Sequence, residues 1–198
     1  MARYVLIVLA VVLLPGCDFV EQHGRLAYGN FEFSQGRFDR ARELYEGIPV
    51  SDEPDAGGLH ALRSYNLGTV DYAVGEIEDA LRRWEEATAS SDDDVRYRAK
   101  FNTGVLNYEQ GRYESAYYAF REALLVQPER EGAKANLELA FDRWQRAGSA
   151  EAAGSVAQPG EREIEGDFED ILEQLRDREQ ERRRVRDEYV PPDDVDDW

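Results

Sequence analysis

Apolar and small positions recur along this chain in a fixed order. Gly29, Gly36, Phe38, Ala41 and Tyr45 are separated by steps of seven, two, three and four residues, and the same steps separate Gly68, Gly75, Ile77, Ala80 and Trp84. They return once more in Gly104, Gly111, Tyr113, Ala116 and Phe120. Steps of three, four and seven belong to helix faces. Each copy therefore predicts two antiparallel helices with a Gly in the turn between them. A small residue marks where the helices touch, and a large aromatic marks where the second helix covers the gap. Neither helix pair can bury its apolar face alone, so stacked neighbours must share one core, the signature of a helical solenoid.

The register resembles that of the tetratricopeptide repeat (TPR) family. Its third copy is the fullest, with Thr103-Gly104, Tyr108, Gly111, Tyr113, Ala116, Phe120, Ala123 and Pro128. The second has Leu67-Gly68, Ala80, Trp84 and Ala87, with Asp71 where the family usually has Tyr; the first has Tyr28 before its Gly and Ile48 in place of the late Ala. A fourth stretch, Lys134–Ala140, echoes Tyr65–Gly68 and runs on to Trp144 as a capping helix. The resemblance implies an all-α solenoid over 17–147, with repeats near 22–50, 61–89 and 97–128 and a cap at 130–147. Gly-to-Gly steps of 39 and 36 residues exceed the family's period of about 34 by loop insertions. One of these loops, Ser90–Asp94, also reads as a helix start, since carboxylates suit exposed N-terminal amides.

The two ends are of another kind. Val5–Leu14 is an unbroken apolar run of 10 residues, sized for a signal-peptide core and short of the ~20 residues a bilayer requires. The only Cys follows at once in Leu14-Pro15-Gly16-Cys17, which resembles the lipobox of bacterial lipoproteins although Pro15 is unusual there. That resemblance implies removal of residues 1–16 and lipidation of Cys17, with Asp18 resembling an inner-membrane retention signal. A buried thiol or an ordinary secretory signal are the alternatives. Beyond the solenoid, 148–162 reads as a flexible Ala/Gly/Ser linker and 163–190 as a charged amphipathic helix with the stripe Ile164, Phe168, Ile171, Leu172 and Leu175. An acidic tail, 191–198, closes the chain.

Charge and chemistry narrow the function. The net charge is −18, and residues 161–198 hold 16 acids against 7 Arg, so a nucleic-acid ligand, which needs a basic face, is excluded. His23 and His60 have no metal-ligand spacing, and no phosphate loop or nucleophile motif is present, so the reading is a non-enzyme with no cofactor, metal or small-molecule substrate. A solenoid offers instead a groove lined by the first helix of each pair. By register that groove comprises Leu26, Asn30, Phe33, Leu62, Tyr65, Thr69, Tyr72, Arg98, Phe101, Val105 and Tyr108. Tyr65 and Phe101 stand where related repeats that grip a C-terminal carboxylate have Lys or Arg, which disfavours that ligand.

Asn136-Leu137-Glu138, the Gly-rich linker, Leu172-x-x-Leu175 and Asp197-Trp198 together resemble the TPR proteins of bacterial aerotolerance (Bat) operons. Membership implies partners with von Willebrand factor A domains and a MoxR-type ATPase. The expected protein is an exported, membrane-anchored lipoprotein facing the periplasm, an adaptor for protein partners in a cell-envelope complex. A periplasmic holder of unfolded segments and a structural envelope protein are the alternatives.

Overall fold

The computed structural model describes residues 20–50, 58–152 and 160–188. Every regular element among them is a helix: α1 (20–34), α2 (Phe38–Glu46), α3 (Leu59–Val74), α4 (Ile77–Ala87), α5 (Asp93–Glu109), α6 (Tyr113–Val126), α7 (Glu131–Ala152) and α8 (Gly160–Glu188). The first six form the three expected pairs, α7 is the expected single helix after them, and α8 is the separate C-terminal helix. Cys17, residues 1–16 and the tail 191–198 lie outside the described residues. The chain forms two compact units, 1–99 and 100–198, divided within α5.

Three identical turns join the pairs. At each, Gly36, Gly75 and Gly111 take φ of 72°, 85° and 72°, a left-handed conformation that is costly for any residue with a Cβ. Their N–H groups donate to Phe33, Tyr72 and Tyr108, and the next residues' N–H groups donate to the carbonyls of Glu32, Asp71 and Asn107. This double closure satisfies carbonyls that a helix end otherwise leaves orphaned.

The other Gly of each copy sets the distance between partner helices. A Cβ on Gly68 would stand 2.8 Å from the Trp84 ring and one on Gly104 2.6 Å from Phe120, and a Cβ on Gly29 would clash with the edge of the Tyr45 ring. Ala41, Ala80 and Ala116 are fully buried beside these contacts. Small residue and ring are thus two halves of one fit, repeated three times.

In the first unit, Leu26, Ala41, Tyr45, Ile48, Leu67 and Val70 make one cluster, so α3 completes the core that α1 and α2 cannot close alone. In the second, Tyr117, Leu124, Leu137 and Ala140 are buried on α6 and α7. There α8 packs as well: Phe168 stacks on Phe141 with centroids 4.1 Å apart and planes at 8°, and Ile171 and Leu175 are buried. Its charged half continues the contact, as Lys134 pairs with Glu179 at 3.0 Å and Arg178 donates to the Leu125 carbonyl at 2.9 Å. The Lys134 ammonium holds the Glu179 carboxyl below the usual range, with Arg183 adding to the effect.

Two helix ends differ from the sequence reading. Helix α7 runs to Ala152, into the stretch read as linker, because Ala150, Glu151 and Ala152 are strong helix formers. Helix α8 opens at Gly160, ahead of 163. At α5 the Ser/Asp run does cap: Asp92 Oδ1 accepts the Asp94 N–H at 2.8 Å and Ser90 Oγ accepts the Asp92 N–H at 3.1 Å.

Candidate functional site

Three residues after the contact Gly of each copy stands a polar side chain under the turn: Glu32, Asp71 and Asn107, all buried. Glu32 is met by Arg37, which holds its carboxyl below the usual range, and Asn107 Oδ1 accepts Arg112 Nε at 2.8 Å. The second copy has Glu76 after its turn Gly, the wrong charge for Asp71. Arg42 of α2 and Arg83 of α4 take over, at 2.6 and 2.7 Å from the two Asp71 oxygens. Burial pushes the Asp71 carboxyl up, against the pull of Arg83 and Arg42. Arg42 also pairs with Glu76 at 2.6 Å. Each of these three side chains is met by Arg; the exchange of Arg for Glu at 76 was the sequence signal that Asp71 needed partners from elsewhere.

The predicted groove residues divide between the two units. In the first, Leu26 is only 5% exposed and belongs to the core, a correction to its place on an open face. It lies toward the α3 side of α1, where Leu67 and Val70 close over it. Phe33 and Leu62 are partly buried against the same cluster, and Phe33 packs on Phe38 at 5.3 Å. Asn30 is exposed, yet its Oδ1 accepts Tyr45 Oη at 2.7 Å and Asn66 Nδ2 at 3.2 Å. Tyr65, Thr69 and Tyr72 are half-buried along α3. Thr69 Oγ1 donates to the Tyr65 carbonyl at 2.9 Å and receives Trp84 Nε1 at 3.4 Å, while the Tyr72 ring tilts against Trp84 at 5.7 Å. Arg98 is exposed and paired with Asp94 one turn back.

In the second unit Phe101, Val105 and Tyr108 are half-buried, Phe101 against Phe120 at 5.5 Å and Tyr108 against Tyr113 at 5.3 Å. Both units thus use one device: a first-helix aromatic rests one face on the second helix and leaves the rest to solvent.

The C-terminal stripe leads to a feature the sequence reading missed. Between α6, α7 and α8 lies a cavity of about 320 Å³ lined by Tyr117, Tyr118, Arg121, Trp144, Asp170, Ile171 and Gln174. Its three rings are mutually inclined, Tyr117 to Tyr118 at 71°, Tyr117 to Trp144 at 41° and Tyr118 to Trp144 at 58°. Of the stripe, Ile171 faces this cavity, Phe168 packs on Tyr117 of α6 and Phe141 of α7, Leu175 is buried, Leu172 is half-buried, and the Ile164 side chain lies outside the described residues. The adjacent Tyr117-Tyr118 pair and Trp144 were the available signal, but only the position of α8 closes a cavity around them.

Among the described residues no three His, Cys, Asp or Glu side chains gather as a metal site, and no helix is long and apolar enough to cross a membrane. What the surfaces can do is bind, through rings that present a face and an edge to a ligand.

The tetratricopeptide repeat family model matches residues 65–135, from the middle of α3 to the first turns of α7. No curated protein matches the chain. The match covers the second and third copies, the two that keep the register best.

Proposed function

We propose that this chain is a membrane-anchored adaptor that gathers protein partners into a cell-envelope complex. Tetratricopeptide repeats generally mediate protein–protein interaction, on the extended surface that stacked pairs create. The observation that carries the reading is the half-buried row Tyr65, Thr69 and Tyr72 on α3, of which Thr69 and Tyr72 are backed by Trp84. Rings held in place from behind lose little freedom when a partner peptide covers them.

Anchoring rests on the Leu14–Cys17 junction, with lipid on Cys17 and the solenoid facing the periplasm. Proteins with von Willebrand factor A domains and a MoxR-type ATPase are the partners suggested by the resemblance to the Bat-operon proteins. In this reading the Tyr65–Tyr72 row binds the partner, and α8 either guards a second binding surface or docks the partner itself.

Affinity capture from native membranes tests it. One stoichiometric partner is expected with the wild type and its loss with Tyr65→Ser combined with Tyr72→Ser, while Cys17→Ser releases the protein from the membrane. Many weakly bound apolar peptides, insensitive to the two Tyr changes, would replace the adaptor reading with that of a holder of unfolded segments. A mature N-terminus without lipid by mass spectrometry would remove the anchor.

A further inference from the structure

On α1 the side chains turned away from the core stand at 20, 24, 27, 31 and 34, steps of four, three, four and three that align them in one stripe. Val20 is 69% exposed, Phe31 52%, and Tyr28 on the flank 48%. The Tyr28 and Phe31 rings stack with centroids 6.2 Å apart and planes at 12°. Gly24, Ala27 and Ser34 are exposed, and where a Cβ would stand on Gly24 there is open space.

The same register positions on α3 tell what this face is for. Leu67 and Val70 correspond to Tyr28 and Phe31, one and two places to either side of the contact Gly, and both are fully buried in the core shared with α1 and α2. They are stacking positions. On α1 they carry large rings and meet solvent.

Charge argues for what covers them. In a chain of net charge −18, the stripe itself has no charged side chain. The charges beside it are spent locally: Glu21 pairs with Arg25 at 2.9 Å, and Glu32 pairs with Arg37, whose guanidinium also lies 5.6 Å from the Phe31 centroid. A strongly acidic molecule can approach its own copy through such a neutral face, where approach elsewhere meets like-charge repulsion.

Shape argues for it too. The N-terminal half of the stripe is small, Gly24 and Ala27, and the C-terminal half is aromatic, Tyr28 and Phe31. Turned antiparallel about a two-fold axis, one copy lays its rings over the other's small residues, so a single patch is complementary to itself. That is the contact the chain already builds internally at Gly29 with Tyr45, Gly68 with Trp84 and Gly104 with Phe120.

We propose that α1 is a homodimer interface, with two copies meeting antiparallel along Val20, Gly24, Ala27, Tyr28 and Phe31. This rests on α1 alone and does not depend on the adaptor reading or on the identity of any partner.

Sedimentation velocity of the full-length, detergent-solubilised protein tests it. The wild type is expected at twice the protomer mass, falling toward the protomer on dilution, and Phe31→Glu or Ala27→Arg at the protomer mass with helical content unchanged. A second readout serves should either variant unfold: in a Cys17→Ser background, Ala27→Cys near the two-fold axis is expected to oxidise to a linked dimer, and Val20→Cys at the stripe's end to resist. A wild type at protomer mass at every concentration overturns the proposal, whether residues before α1 or another protein cover the face. A dimer that survives Phe31→Glu, or equal linking through Val20→Cys, overturns it as well.

Discussion

Phe31 on α1 is half-exposed, whereas Phe141 on α7 is buried beneath Phe168 of α8. Both belong to helices at the margins of the repeat register, and both present an apolar ring where a following or preceding repeat would stack. In the second unit the chain supplies its own cover, a helix whose stripe continues the core and whose charged half fastens to Lys134 and the Leu125 carbonyl. In the first unit no described element does so. Terminal faces of a solenoid have to be covered or made polar, and these two ends show the difference between a face closed by the chain and a face left for a neighbour.

The largest effect is expected at the closed end. Leu175 is 3% exposed, and Leu175→Ala is expected to cost about 2–4 kcal/mol by urea denaturation. A loss no greater than that of an exposed residue would mean that α8 does not close the second unit. The interior offers the next test. Asp71→Ala leaves Arg83 without its carboxylate and Arg42 with Glu76 alone, an expected cost of about 2–3 kcal/mol because both Arg keep some solvent. Ala116→Leu overfills a fully buried helix contact and is expected to cost about 1–3 kcal/mol; no change in melting would contradict the Gly-and-ring fit around it.

A pH-dependent effect of similar size belongs to Tyr45. Burial raises its phenol from 10 to about 12, so the folded state holds the proton that the unfolded chain gives up. The stability this represents is complete below pH 10 and is lost as pH rises from 10 to 12. Relative to Tyr45→Phe, the wild type should therefore lose about 2–3 kcal/mol across that window. Parallel curves for the two proteins would deny the shift. Least is expected at the open end, where Phe31→Ser should change protomer stability by less than about 0.5 kcal/mol; a large loss there would mean that the face is already covered.

Much of this architecture was legible in the residues. The steps of seven, two, three and four place Gly36, Gly75 and Gly111 in left-handed turns and set Gly29, Gly68 and Gly104 under Tyr45, Trp84 and Phe120, because each such fit involves residues within about twenty positions of one another. Local spacing therefore determined the helix pairs and the contacts inside each pair. The expected groove rested on register alone. Register places Leu26 on the first helix but cannot say that Leu67 and Val70, some forty residues later, close over it. Nor could spacing say that Asp71 draws its bases from Arg42 and Arg83, that Phe168 stacks on Phe141, or that Tyr117, Tyr118 and Trp144 border a cavity. Those contacts join parts of the chain with no periodic relation, and they exist only once packing has brought the helices together. Sequence fixes which face of a helix is apolar; only the tertiary structure decides what covers it, since any apolar surface of suitable shape satisfies the same demand to leave water.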